Sequence, residues 1–293
     1  MIAALRRHWP EYLMEAAGLG LFMISAGTFG VLLEFPGSPI HHAIASPVVR
    51  RVLMGLAMGG TAAAIVYSPW GKRSGAHLNP AVTLTFLRLG KIEPADALWY
   101  VGFQLLGGIA GMAVAVSLLT SRLASPSVNF VVTVPGPWGL PAAFLAETAI
   151  SFLLMLAVLY ASNERRLNRF TGIIAGALVA LYISVEAPVS GMSMNPARTL
   201  ASAWSADLWT GFWIYLTAPP LAMLAAAQAY ASFRGRTAVR CAKLHHENEQ
   251  RCIFRCSYFT HPQPRSDHEH RDTPQEMQVP AHLAVRHTRR WLA

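Results

Sequence analysis

The chain has 293 residues, of which 53% are hydrophobic and 13% charged, and its mean hydropathy is +0.35. This composition excludes an ordinary soluble domain and indicates a protein that crosses a membrane several times. The formal net charge of +9 is split between the apolar part and a basic tail that begins at residue 234, a pattern more typical of a segment near lipid than of a nucleic-acid site.

Six apolar segments follow one another along the chain, each close to the length that a transmembrane helix requires. They lie at about 12–33, 48–67, 95–119, 140–162, 170–185 and 210–233. We therefore predict an all-α membrane protein with six transmembrane helices in residues 1–233, followed by a cytoplasmic tail at 234–293.

Two short polar stretches interrupt this apolar sequence and are copies of one another. Residues 74–84 and 190–200 share the frame Ser-Gly, three residues, Asn-Pro-Ala, one residue, Thr-Leu, without a gap. The two copies of the tripeptide are Asn79, Pro80, Ala81 and Asn195, Pro196, Ala197. An internal repeat of this kind indicates that the chain is built from two related halves.

Each copy is typical of a helix start. Asn79 and Asn195 are good N-cap residues, and a proline suits the first helical position, where no N–H is needed. About eight to ten mostly apolar residues follow each motif, too few to span a bilayer but enough for a re-entrant half-helix.

The distribution of Lys and Arg predicts the orientation. With a cytoplasmic N-terminus, nine basic residues of the short loops lie inside and three lie outside, so we predict that both termini are cytoplasmic. Each half holds three spans, an odd number, so the repeats at about 9–119 and 140–233 have inverted topology. The N-termini of the half-helices are then expected to meet near the midplane of the membrane.

Two Asn-Pro-Ala motifs in inverted halves of a six-span chain resemble the aquaporin and glycerol-facilitator family, the major intrinsic proteins. The resemblance covers residues from about 9 to 232. It implies a passive homotetrameric channel in the lipid bilayer, without a cofactor or metal, and not an enzyme. We expect it in a bacterial inner membrane.

We expect the N-termini of the two half-helices to determine which solutes and ions pass. Two positive helix ends that face one another repel cations, and the Asn79 and Asn195 amides can donate hydrogen bonds to a passing oxygen. Arg198 replaces the Val82 of the first copy, and the resemblance implies that it lines a constriction on the outer side. The alternative is that Arg198 only binds loop carbonyls.

The resemblance places Ile183, Met192 and Gly59, or a neighbour of Gly59, around the same constriction. An aliphatic residue and a glycine would make a wide, weakly polar ring, which Met192 could partly fill. We therefore expect water and small neutral solutes such as glycerol, urea or metalloid hydroxides to pass. The competing hypothesis is a non-conducting membrane scaffold or sensor that acts through its basic tail.

Four polar residues near the loops carry further predictions. Glu15 and Glu147 look like the family's two buried glutamates; they are predicted to accept hydrogen bonds from loop N–H groups, and a proton relay is the alternative. His77 either lines the pore or is a satisfied loop residue. Glu186 is either a vestibule carboxylate or a local acceptor.

The tail holds all three cysteines, at positions 241, 252 and 256, and seven histidines. Cys252 and Cys256 have a C-x₃-C spacing with His245 and His246 upstream, which is a weak match to a zinc site. Disorder is the preferred interpretation, because the tail is rich in proline and charge. A short helix at 234–254 on anionic lipid is a further alternative.

Overall fold

The computed structural model describes residues 1–258. Within them the chain is helical, and its α-helices are α1 Ile2–Glu34, α2 Pro39–Ala43, α3 Pro47–Tyr67, α4 Pro69–Ser74, α5 Pro80–Arg88, α6 Pro94–Leu119, α7 Gly139–Asn163, α8 Thr171–Val185, α9 Ala187–Ser190, α10 Pro196–Ala206 and α11 Phe212–Arg234. Short 3₁₀ turns occur at 120–122, 129–131, 168–170 and 236–238.

Six of the helices in the described part of the chain are long and apolar enough to span a membrane, namely α1, α3, α6, α7, α8 and α11. They coincide with the six predicted segments, so the predicted fold class is confirmed. The main difference is at α1, which begins at Ile2 rather than near residue 12. Its extra turns are held by polar contacts: Arg73 Nε lies 3.0 Å from Glu11 Oε1, and His8 Nδ1 lies 2.8 Å from Asp96 Oδ1.

The helices pack in an arrangement that repeats between the two halves. The first and third spans of each half pack together, α1 on α6 and α7 on α11, and the middle spans α3 and α8 pack on each other. Each half-helix lies mainly against the third span of the opposite half, α5 against α11 and α10 against α6. The halves are therefore interlocked at the half-helices.

Glycines allow the closest of these helix contacts. A Cβ atom on Gly59 would lie 2.2 Å from the carbonyl oxygen of Gly176, and one on Gly176 would lie 2.4 Å from that of Gly59. A Cβ on Gly107 would likewise lie 2.2 Å from the Ala16 carbonyl oxygen. Small residues let helix backbones approach where lipid supplies no hydrophobic drive between helices.

We use "terminal face" for the side of the bundle that holds the start of α1 and the end of α11. Residues 235–258 lie here, where the sequence indicated disorder, and several of their side chains are buried, including Val239, Cys241, Ala242 and Phe254. Contacts with the channel explain this order. Arg240 N donates to Asn163 Oδ1 at 2.7 Å. The rest of the predicted disordered tail, 259–293, lies outside the described residues.

Candidate functional site

Each Asn-Pro-Ala motif begins a half-helix. Asn79 Oδ1 accepts from Ala81 N at 2.8 Å, and Asn195 Oδ1 accepts from Ala197 N at 3.0 Å. Both prolines occupy the first helical turn, where a missing N–H costs nothing. The half-helices α5 and α10 have 9 and 11 residues.

The two asparagines also join the halves to one another. Asn79 Nδ2 donates to the carbonyl oxygen of Met194, and Asn195 Nδ2 donates to that of Leu78, each at 2.7 Å. An amide NH₂ group has two donor hydrogens, so each asparagine retains one for another acceptor. The helix N-termini therefore meet as a symmetric pair.

The loops before the half-helices have an unusual and repeated backbone conformation. Ala76 and Leu78 in the first copy, and Met192 and Met194 in the second, have φ values of 52–55°. Non-glycine residues seldom adopt this left-handed region, and such strain concentrates at functional sites. The repetition at equivalent positions shows that both loops follow the same constrained path.

Two buried carboxylates hold these loops in place. Glu15 Oε1 accepts from His77 N at 3.1 Å, and Glu15 Oε2 accepts from Leu78 N at 2.6 Å and from Gln104 Nε2 at 2.8 Å. Ser74 Oγ donates to Glu15 Oε1 at 2.7 Å. These donors satisfy a carboxylate that is fully buried.

Glu147 has the corresponding role in the second half. Its Oε1 accepts from Ser193 N at 2.6 Å and from Ser190 Oγ at 2.9 Å, and its Oε2 accepts from Met194 N at 2.8 Å. Apart from Gln104 of α6, the partners of both glutamates are donors in the loops or at the helix ends beside them. Each carboxylate accepts from two backbone N–H groups of its loop.

A continuous cavity of about 550 Å³ runs past both half-helix N-termini. Glu34, Pro47 and Arg51 line it toward the face opposite the terminal face, whereas His77 and Leu244 line it toward the terminal face. The residues of both motif loops that line the cavity are Ala76, His77, Leu78, Asn79, Gly191, Met192, Ser193, Met194, Asn195 and Arg198. The cavity thus has the path of a pore.

Three of the four predicted constriction residues line this cavity, and one does not. Ile183, Met192 and Arg198 all face it, and Arg198 Nη1 lies 3.4 Å from Ser202 Oγ. Gly59 instead faces α8, as its close approach to Gly176 requires. The assignment of Gly59 itself was wrong, because this position on the helix points away from the cavity. The alternative, a neighbour of Gly59, fits the adjacent Met58, which lines the cavity.

His77 both lines the cavity and is satisfied by protein partners. Its Nδ1 lies 3.1 Å from Thr83 Oγ1, and its Nε2 lies 2.8 Å from the carbonyl oxygen of Ala242 in the tail. Its ring stacks between Phe86 and Phe254, with centroid distances of 5.1 and 5.4 Å. Lining the cavity and having its hydrogen bonds satisfied are therefore compatible for His77.

Sequence reasoning missed Met58 and the tail residue Leu244 as cavity-lining residues. The period of α3 could have identified Met58, since Met54, Met58, Ala62 and Val66 recur every four residues and all line the cavity. No local pattern marks Leu244. Glu186 is buried, and neither oxygen of its carboxylate has a hydrogen-bond partner among the described residues.

Comparison with known proteins gives one family. The family model described as "Major intrinsic protein" matches residues 6–230. Aquaporin NIP6-1 of Arabidopsis thaliana is 38% identical over 59% of this chain and 55% of its own length, and aquaporin NIP3-1 of Oryza sativa subsp. japonica is 36% identical over 69% and 67%. The chain thus spans little more than half the length of the first of these relatives.

The fold also matches a solved structure, that of the aquaglyceroporin from Plasmodium falciparum. The TM-score is 0.64 at 21% sequence identity, and the match covers 79% of this chain and 98% of that one. At this identity the likeness establishes a common fold.

Proposed function

The chain belongs to the major intrinsic protein family, and from this premise we propose how its pore selects what passes. It is an integral membrane protein with several spans and a channel for water and small neutral solutes, not an enzyme. The observation that supports the proposed site best is the meeting of two Asn-capped half-helices beside one continuous cavity.

We propose that the meeting point excludes cations and protons. Each half-helix directs unpaired N–H groups and about half of a positive elementary charge toward its N-terminus. The remaining hydrogen of each asparagine amide can donate to the oxygen of water or of an alcohol. A neutral solute then keeps a hydrogen bond where a cation, stripped of part of its hydration, meets positive charge.

We propose that Arg198, Met192, Ile183 and Met58 form the ring that sets the size of the solute. Arg198 supplies donors and a permanent positive charge. The other three side chains are apolar, and methionines are flexible enough to admit solutes of different shape. With Met58 in place of Gly59 the ring is narrower than the sequence suggested, and its apolar, adaptable wall still favours small alcohols, urea or metalloid hydroxides alongside water.

We propose that the terminal face is cytoplasmic, because most basic loop residues lie on that side. A homotetramer with one pore per subunit accords with the family. The relatives reported above are plant proteins, so they give no support to a bacterial inner membrane.

The experiment is stopped-flow light scattering of proteoliposomes under water, glycerol and urea gradients. Permeability above that of protein-free vesicles supports the channel, whereas the competing scaffold hypothesis predicts no difference. A matched Arg198→Lys variant keeps the charge and loses the planar fork of donors, so altered solute ranking with retained cation exclusion would assign the ring.

A further inference from the structure

The tail places four metal-binding side chains together on the terminal face. We call them the four-donor cluster: Cys241, His246, Cys252 and Cys256. Their ligand atoms all lie within 4.8 Å of one another. The Sγ atoms of Cys241 and Cys252 are 3.5 Å apart, and Cys256 Sγ lies 3.0 Å from His246 Nε2.

The distance between the Sγ atoms of Cys241 and Cys252 suits a tetrahedral metal centre. A Zn–S bond of about 2.3 Å implies about 3.8 Å between two thiolates of a tetrahedral site. Three thiolates and one imidazole are a soft donor set, which favours Zn²⁺ over Mg²⁺ or Ca²⁺. A 3.5 Å separation is also well beyond a disulfide bond of about 2.05 Å, and the cysteines are free.

Residues around the cluster hold the His246 ring in a fixed orientation. The His246 ring stacks on Tyr258 at a centroid distance of 4.3 Å, and the Tyr258 hydroxyl donates to the Ser162 carbonyl oxygen at the end of α7. Such contacts orient a metal ligand.

Charge balance also favours a metal. Binding of Zn²⁺ by three thiols and a neutral imidazole releases three protons to solvent and leaves a net charge of −1. Lys243 lies between two of the ligands in sequence, is 2% exposed, and donates from Nζ to the Gln250 carbonyl oxygen at 2.9 Å. Its buried ammonium supplies the opposite charge.

The segment that carries the cluster is held by its contacts with the helical bundle and not by secondary structure of its own. Residues 239–258, all of them described, contain no helix or strand, yet Val239, Cys241, Ala242 and Phe254 are buried. Irregular segments of this length are uncommon in compact domains. A metal ion can stabilise such a segment in addition to its contacts with the helices, since its binding energy becomes folding energy.

Residues that contact the pore alternate with the ligands along the chain. Between Cys241 and His246, the Ala242 carbonyl oxygen pairs with His77, and Leu244 N donates to the Gly75 carbonyl oxygen at 3.1 Å. The Leu244 side chain lines the cavity.

A second group of contacts lies between Cys252 and Cys256. Phe254 stacks on the His77 ring, and the backbone N of Arg255 donates to the Lys91 carbonyl oxygen at 3.0 Å. Fixing the ligands therefore fixes the groups that contact His77 and the Leu244 side chain that lines the cavity.

We propose that the four-donor cluster binds one Zn²⁺ ion and that the zinc-bound segment 239–258 closes the pore on the terminal face. Loss of the metal frees Leu244 and Phe254 from the mouth and opens it. The closure rests on the proposed channel function, whereas the metal site does not.

The first test measures zinc in the full-length protein, purified with a reductant and analysed by mass spectrometry of the metal. We expect about one zinc per chain. His246→Gln and Cys252→Ser should lose it. His245→Gln is the matched control and should retain it, because His245 contacts Tyr67 and is outside the cluster.

Cobalt gives an independent readout of the ligands. The wild type and His245→Gln, loaded with Co²⁺, should show thiolate charge-transfer bands and the strong visible bands of a tetrahedral site. Equal zinc content in wild type and His246→Gln, or a Cys241–Cys252 disulfide without zinc, would overturn the site.

The second test measures permeability of proteoliposomes with zinc and after a membrane-permeant chelator. If zinc keeps about nine pores in ten closed, chelation raises water or glycerol permeability about tenfold, and added zinc reverses the change. His245→Gln should respond like the wild type, and His246→Gln should be permeable and insensitive to zinc. Bound zinc without an effect on permeability would overturn the closure.

The two proposals fail in different ways. If the chelated wild type and His246→Gln both remain as impermeable as protein-free vesicles, the proposed channel and the closure that rests on it fall. The zinc content of the same samples still decides the metal site.

Discussion

Replacement of Glu147 by glutamine tests the role of the buried carboxylates in the loops. The Glu147 carboxylate is fully buried and accepts from three donors, two of which are the backbone N–H groups of Ser193 and Met194. Every one of these partners is a donor, which is the environment that an ionised carboxylate requires. A glutamine NH₂ group cannot accept, so at least one of the bonds is lost.

The structure sets the size of this effect. A hydrogen bond to a charged group contributes about 1.5–3 kcal/mol, and a buried N–H left unpaired has a comparable cost. A loss of about 2 kcal/mol lowers the melting temperature by about 3 °C in a protein of this size. The loop that carries Met192 and Arg198 should also loosen, so glycerol permeability should change relative to water.

The assay is thermal unfolding in detergent together with stopped-flow permeability. Glu164→Gln is the matched control, because Glu164 is half exposed and lies 3.8 Å from Arg234 in a surface ion pair of little energetic value. If Glu147→Gln melts with the wild type and keeps its solute ranking, the loop-support argument is refuted. Loss of a proton flux without a change in stability would favour the proton-relay alternative.

Four further substitutions test the ring and the closure. Arg198→Ala should admit cations or protons, visible as dissipation of an imposed gradient in vesicles; unchanged exclusion would remove Arg198 from the filter. Gly59→Ala should cost about 1–3 kcal/mol of stability through its clash with Gly176. Met58→Phe should fold and lower glycerol permeability relative to water. A stable Gly59→Ala with altered glycerol permeability, together with an unchanged Met58→Phe, would restore Gly59 to the ring. Phe254→Ala should keep its zinc and leak in the zinc-bound state, and a tight channel would show that the stacking on His77 is dispensable.

The motifs carried most of the information that the sequence held about the fold. Asparagine followed by proline is typical of a helix N-cap and first helical position, so these two residues predicted the start of each half-helix. Hydropathy located the six spans because a segment that crosses the bilayer is apolar and must form its backbone hydrogen bonds internally, as a helix does.

The direction of a side chain around a helix was less predictable. The resemblance placed Gly59 or a neighbour in the ring, and a shift of one residue turns a helical position by about 100°. The spacing of Met54, Met58 and Ala62 gives the correct face, so the helical period of this sequence is the better guide to the exact residue.

The order of residues 235–258 could not be predicted from composition. Proline and charge are typical of disorder, but the prolines of the tail all lie beyond residue 258. The three cysteines form no repeated pair that would mark a metal site. The structure depends on contacts between residues far apart in sequence, such as the pairing of His77 with the Ala242 carbonyl oxygen. Contacts of this range leave no local pattern.

The central claim is that the pore passes water and small neutral solutes between two half-helix N-termini and excludes ions. The most direct measurement is the permeability of metal-free proteoliposomes to water, glycerol and protons in one preparation. We predict water and glycerol permeability clearly above that of protein-free vesicles, with proton permeability equal to theirs. Water and glycerol rates equal to those of empty vesicles, or a proton leak that follows the protein, would contradict the account.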